Sequence, residues 1–186
     1  MTSVVDICNR ALSNKLGGSR ITSLNDDSKG AKECSLAYEY VRDFVLRAHV
    51  WNCTVKRAVL SPLSSIPEYE HAYEYQLPSD CIRILSVDTD YDWQVEGRKI
   101  LTDEGTVLNI RYQVRETDPA QYDSMLVEAI TCRLAYDICE SITQSTSKKT
   151  ELERDFKRVL IEAKAMDAQE GSYSTFKEDD WVTVRY

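Results

Sequence analysis

Most of the residues in this chain that could do chemistry lie between positions 49 and 92. Asp88, Asp90 and Asp92 alternate as the first acidic ligands of a calcium loop do. Such a loop then needs glycine at its sixth position and glutamate at its twelfth. Trp93 and Lys99 stand there instead, so an acidic hairpin loop is expected and no metal. Glu68, Glu70 and Glu74 could supply a general acid and base for glycoside cleavage. With 31 acidic residues in the chain, carboxylate pairs are common, and spacing alone fixes neither their separation nor their burial. His49 and Cys53 are close in sequence, but a cysteine nucleophile needs a base held by a third group. Structural roles are expected for both. No phosphate-cradling glycine loop, helical zinc motif, nucleophile elbow or CxxC pair is present. No catalytic residue, cofactor or metal ligand is therefore expected.

The bulk composition narrows the class. Apolar residues make up 42% of the chain and charged residues 29%, as in an ordinary globular domain. The net charge of −8 argues against sequence-independent gripping of nucleic acid, which needs lysine and arginine on phosphates. It does not argue against enclosing DNA without holding it. No run approaches the roughly 18 apolar residues of a membrane span, and the first residues, MTSVVDICNRALSNK, lack the pattern of a secretory signal. Six scattered cysteines then read as reduced thiols in a cytosolic setting, each expected to pack as a small buried apolar group.

These residues sit among recognisable elements. A first helix is expected over 4–16, capped by Ser3 with Asp6 and stopped by Gly17-Gly18. Its apolar stripe would be Val5, Cys8, Ala11 or Leu12, and Leu16. A second helix follows Asn25-Asp26-Asp27, expected to cap it, and runs to about His49. Short strands are expected over 52–60, 72–76, 82–87, 91–96, 99–101 and 107–114, with a hairpin across Gly97-Arg98. A third helix should open at Pro119 and end near Ile142. A polar loop over 143–149 should precede a fourth helix, which buries Leu152, Phe156, Val159 or Leu160, Ala163 and Met166 and ends at Gly171. The fold class expected is α+β: about four amphipathic helices, an inserted antiparallel β module and an extended C-terminal arm. The divisions are 1–50 and 116–171 for the helical halves, 51–115 for the β module and 172–186 for the arm.

The arm is the sharpest candidate for binding. It passes from Lys177-Glu178-Asp179-Asp180 to Trp181, Val182, Thr183, Val184, Arg185 and Tyr186. Termini are usually polar and fray. One ending in two aromatics and two valines needs a surface, either a partner's or that of its own helices.

Four stretches also carry a family likeness: ICNRALSNKLGGSRITSLNDDSKGAKECSLAYEYVRDFVLRAHVWN, AYEYQLPSDCIRIL, VEGRKILTDEGTVLNIRY, and the helical half ending AMDAQEG. In order along nearly the whole chain, they resemble the tail tubular protein A family, the head-to-tail adaptor (connector) of short-tailed bacteriophages. Val50 departs from the proline expected before the tryptophan, and Asn14-Lys15 is more polar than usual. The resemblance implies a structural virion protein, made in the host cytoplasm and serving genome ejection. It implies a ring of twelve copies between the portal protein and the tail nozzle protein, with double-stranded DNA passing through unbound. It also implies that Trp181, Val182, Val184 and Tyr186 dock on the portal, and that Ser64, Ser65, Asp88, Asp90 and Asp92 lie in nozzle-facing loops. The alternatives are a tail-associated cell-wall (murein) hydrolase using the β-module carboxylates, and a helical module that binds one partner through its tail.

Overall fold

The computed structural model describes residues 2–170, and these form an α+β fold. Helix α1 comprises an α-helical stretch, Val4–Asn9, continued by a π-helical one, Arg10–Lys15. Ser3 and Asp6 form a reciprocal capping box at its start. Gly17 ends it at φ 68°, a left-handed value that costs glycine least. The wider π turn shifts the apolar phase. Ile7, Cys8, Ala11 and Leu12 are buried, whereas the expected Val5 and Leu16 are half-buried. The Asn9 amide then fixes the following loop, bonding both the N–H and the carbonyl of Ile21 at 2.8 and 2.9 Å.

Helix α2 spans Lys29–Ala48, with α3 at Ser124–Thr143 and α4 at Thr146–Gln169. Helix α3 is the middle layer, packed on both α2 and α4. The cap of α2 differs from expectation. Ser28 accepts from the Ala31 N–H, while Asp26 turns back to bond the N–H groups of Thr22 and Ser23. Pro119 opens a separate 3-10 turn, Pro119–Gln121, and Asp123 caps α3 itself. The expected polar loop over 143–149 shrinks to Gln144, left-handed at φ 54°, and Ser145, whose hydroxyl caps α4. The polar residues after it form the first turn of α4, exposed at Thr146 and Ser147 and half-buried at Lys148 and Lys149. Met166, expected inside, is exposed, and Asp167 takes the buried position. Cys8, Cys34, Cys132 and Cys139 are buried as expected, but Cys53 is exposed and Cys81 only half-buried.

Strands β1 (Val55–Leu60), β3 (Cys81–Asp88) and β6 (Leu108–Val114) make one antiparallel sheet in the order β1-β6-β3. Strands β2 (Tyr73–Gln76), β4 (Trp93–Glu96) and β5 (Lys99–Thr102) make a second, in the order β2-β5-β4. Residues 52–54, expected to begin β1, form a 3-10 turn held by Thr54, whose N–H and hydroxyl both donate to the Trp51 carbonyl. Alternation along β6 sends Leu108, Ile110, Tyr112 and Val114 to one face. There they form a core with Tyr75, Leu77 and Ile100, separate from the larger core of the helices.

The junction between the two cores is polar and saturated with bonds. A helix leaves its last carbonyls without intrahelical donors, and α2 has no glycine cap, since His49 is extended. Side chains do the work. The Trp51 indole donates to the Val45 carbonyl at 3.0 Å. The Gln113 amide nitrogen lies 2.7 Å from the Leu46 carbonyl and 2.8 Å from that of His49. Asp167 closes the far side, accepting from the Asn52 N–H at 3.0 Å and lying 3.0 Å from His49 Nε2. Asp43 joins the buried Arg42 to Arg115, each at 2.9 Å.

Candidate functional site

Pairing places the helix-distal end of the β module. Leu60 pairs with Leu108, and Asp88 pairs with Asn109, so β1 and β3 both end where β6 begins. Loop 61–72 and loop 89–92 therefore leave from the same end of the sheet. Tyr73 and Trp93 both pair with Thr102, which adds the turn after β5 to this end. Cross-bonds hold the three segments together. The Thr102 hydroxyl donates to the Asp92 carbonyl at 2.9 Å, and the Ala72 N–H donates to Asp103 at 2.9 Å. The buried Tyr75 reaches through the module to the Glu104 and Thr106 carbonyls, at 2.5 and 2.7 Å, and gives its single proton to one of them.

The structure thus brings the two loops chosen from sequence to one tip. Ser64, Ser65, Asp88, Asp90 and Asp92 are all exposed. Asp88 is the last residue of β3 and accepts from Asn109 at 3.3 Å, so it belongs to the sheet edge as much as to the loop. Ser65 faces inward with its hydroxyl, which donates to Glu74. The sequence reading missed the apolar part of this tip. Ile66 and Tyr69 are more than 70% exposed, and Tyr91 and Val107 more than half. Tyrosine density over 69–75 was the available signal, since tyrosine is enriched in interfaces.

The carboxylates weighed for catalysis also converge. Glu68, Glu70, Glu74 and Glu96 line one open cavity of about 300 Å³ on the outer face of the β2-β5-β4 sheet, with Lys99 among them. Alternation on that sheet puts Glu74 beside Leu101 and Gln94, away from the core. Lys99 donates to Glu74 at 2.7 Å, and this bond, then that from Ser65, holds its carboxyl below the usual carboxylate range. Glu74 is thus held ionised and is a poor proton donor. A carboxyl lowered by folding contributes stability that is full above its unfolded pKa and is lost as pH falls through the folded one. Glu74→Gln should therefore destabilise the chain at neutral pH, and the gap to the parent should narrow on acidification through the carboxylate range. Thermal melts at stepped pH measure this, and a gap constant with pH would refute it.

The opposite sheet has an outer face of another sign. Arg57 and Arg111 are directly paired across β1 and β6, and both are exposed. Neither has an ion-pair partner among the described residues, although directly opposed like charges weaken a sheet.

The arm residues Trp181, Val182, Val184 and Tyr186 lie outside the described residues. Among those described, no helix is long and apolar enough to cross a membrane. No family model matches this chain, and no curated protein matches it.

Proposed function

We propose that this chain is the head-to-tail adaptor of a short-tailed bacteriophage, a structural protein ringed between portal and tail nozzle with DNA passing through. The observation that carries this reading is the tip. Three segments far apart in sequence are cross-bonded into one surface, opposite the helices, with exposed apolar side chains among acidic ones. Such a mixture suits a protein interface, where buried aromatic anchors carry most of the energy and charges set register. The four stretches of family likeness supply the identity of the partners. The helices serve as ring wall, the tip meets the nozzle, and the segment 172–186 reaches the portal. The acidic balance keeps free subunits apart and lets the DNA backbone slide.

Mixing the chain with the portal protein of the same phage tests the reading. Native mass spectrometry and negative-stain images should show rings seated on the portal. A chain that stays monomeric and ignores the portal would refute it. Deleting 172–186 should weaken portal docking at least about a hundredfold, the equivalent of about 2.7 kcal/mol, while the far-ultraviolet circular dichroism and melting stay those of the parent.

The cell-wall hydrolase reading has one observation in its favour, the gathering of Glu68, Glu70, Glu74 and Glu96 round one cavity. Glycoside cleavage needs a carboxyl kept protonated to act as acid, and Glu74 is shifted the other way. In this reading Glu74 would be the nucleophile or base. Loss of murein clearing by Glu74→Gln, with ring assembly intact, would favour it.

A further inference from the structure

The two sheets of the β module share one core, and the two seams between their edges differ. On the β2 side the seam is closed. Pro62 bridges Tyr75, and the Leu63 N–H donates to the Glu74 carbonyl at 2.8 Å, so the start of loop 61–72 covers the outer edge of β2. On the other side no segment among the described residues does this. β4 ends one sheet and β3 ends the other, so each has one side of its backbone without a ladder partner.

Apolar side chains lie in this open seam. Val95 pairs directly with Ile100, and Trp93 with Thr102. Directly paired residues share a face of the sheet, so Trp93 and Val95 stand on the core side with Tyr75 and Ile100. Ile100 is fully buried there, yet Trp93 and Val95 are 39% and 45% exposed. With Leu77 and Ile84 they line a cavity of about 410 Å³.

The same cavity has a cationic end. Arg47, in the last turn of α2, donates to the Ile82 carbonyl at 2.9 Å, and Arg98, in the hairpin turn, donates to the Pro78 carbonyl. Both line the cavity. The two guanidiniums are thereby held at the end of the seam nearest the helices, where β4 stops and β3 begins. Each bond uses a neutral acceptor. No carboxylate pairs with either arginine among the described residues, in a chain of net charge −8. A guanidinium held by one bond keeps other N–H groups to present to a carboxylate.

A free strand edge, an apolar trough beside it and two cations at one end match an extended peptide. A small organic acid would meet the arginines and the apolar walls but leave the row of backbone groups unmet. We propose that β4 takes an added antiparallel strand from a protein partner, with apolar side chains at alternate positions in the seam and an aspartate or glutamate on Arg47 and Arg98. β4 runs towards the helices, so an antiparallel strand begins there, and its acidic residue comes first. Strand addition draws affinity from main-chain bonds and selectivity from alternate side chains. The inference rests on the β module and not on the adaptor reading.

The peptide acetyl-Asp-Ile-Thr-Ile-Thr-Ile-Lys-amide, with fluorescein on its lysine, tests this by anisotropy on titration with the full chain. Saturable binding is expected. Asparagine in place of the aspartate, Arg47→Gln and Arg98→Gln should each weaken it about tenfold. The arginine changes should add little to the loss already shown by the asparagine peptide. Bound peptide should also slow hydrogen exchange at the amides of 93–96, which an ionic contact alone would not do. Arg98 is exposed in its turn, so Arg98→Gln reads the site even where Arg47→Gln disturbs the fold. No saturable binding, equal binding of the asparagine peptide, unchanged exchange in β4, or tighter binding of oligothymidylate to the same arginines would each overturn the proposal. The assay contains no portal, so this inference and the adaptor reading can fail separately.

Discussion

Trp51→Ala is expected to destabilise the chain by about 4 kcal/mol, in the range for deleting a fully buried aromatic. Its midpoint should fall by about 10 °C for a chain of this size. Two losses combine. Trp51 is wholly buried in the helical core, so the vacated volume cannot be refilled by water or by rigid neighbours. Its indole also donates to the Val45 carbonyl at 3.0 Å, and its ring meets that of His49 edge-on at 5.0 Å. Trp51→Phe separates the two, keeping most of the packing and removing the donor. It should cost about 1–2 kcal/mol, the range for a lost buried hydrogen bond. Differential scanning calorimetry of the three proteins gives the comparison. A phenylalanine variant as unstable as the alanine one would mean that the bond, not the volume, dominates.

The surroundings of Trp51 also show how the chain bends after α2 with Val50, not a proline, before the tryptophan. The bend after α2 is made by extended His49, whose carbonyl is bonded by Gln113, and by the 3-10 turn over Asn52–Thr54. Side-chain bonds from three directions fix the path there. A ring-locked φ is not needed to fix it.

Local signals in the sequence were reliable where the physics is local. The Ser3–Asp6 box, the Gly17 stop and the hairpin at Gly97, with φ 56°, each depend on residues a few positions apart. The misplacements occurred where a distant group competes. Asp26 looks like a cap for α2 but satisfies Thr22 and Ser23 instead. Helical period puts Met166 inside, yet Asp167 is drawn in by the Asn52 N–H and His49, which the sequence places more than a hundred residues away. The candidate tip was legible in part. A serine- and proline-rich loop marked 61–67 and an acidic one marked 88–92, but no local pattern tells that both leave one end of the sheet, because that follows from the antiparallel pairing of β1 and β3 on either side of β6.

Gln113→Leu is expected to cost about 3 kcal/mol, as when a buried bonding group is replaced and its partners stay unpaired. Leucine nearly preserves volume, so the loss is in bonding. The Gln113 side chain is fully buried and its amide nitrogen has the Leu46 and His49 carbonyls at 2.7 and 2.8 Å, with the Thr54 hydroxyl at 3.2 Å. Its two protons serve the two carbonyls, and its oxygen accepts from Arg83 at 3.1 Å. Leucine would leave both carbonyls without this donor. The effect should also be uneven. Because Gln113 ties β6 to the end of α2, the β module of the variant should open at lower denaturant than its helices, where the parent is expected to unfold in one transition. Far-ultraviolet circular dichroism follows the helices, and hydrogen exchange at the β6 amides, read by mass spectrometry across the denaturant series, follows the module. Coincident transitions in the variant would mean that the Arg115–Asp43 and Arg47–Ile82 bonds suffice to couple the two cores without Gln113.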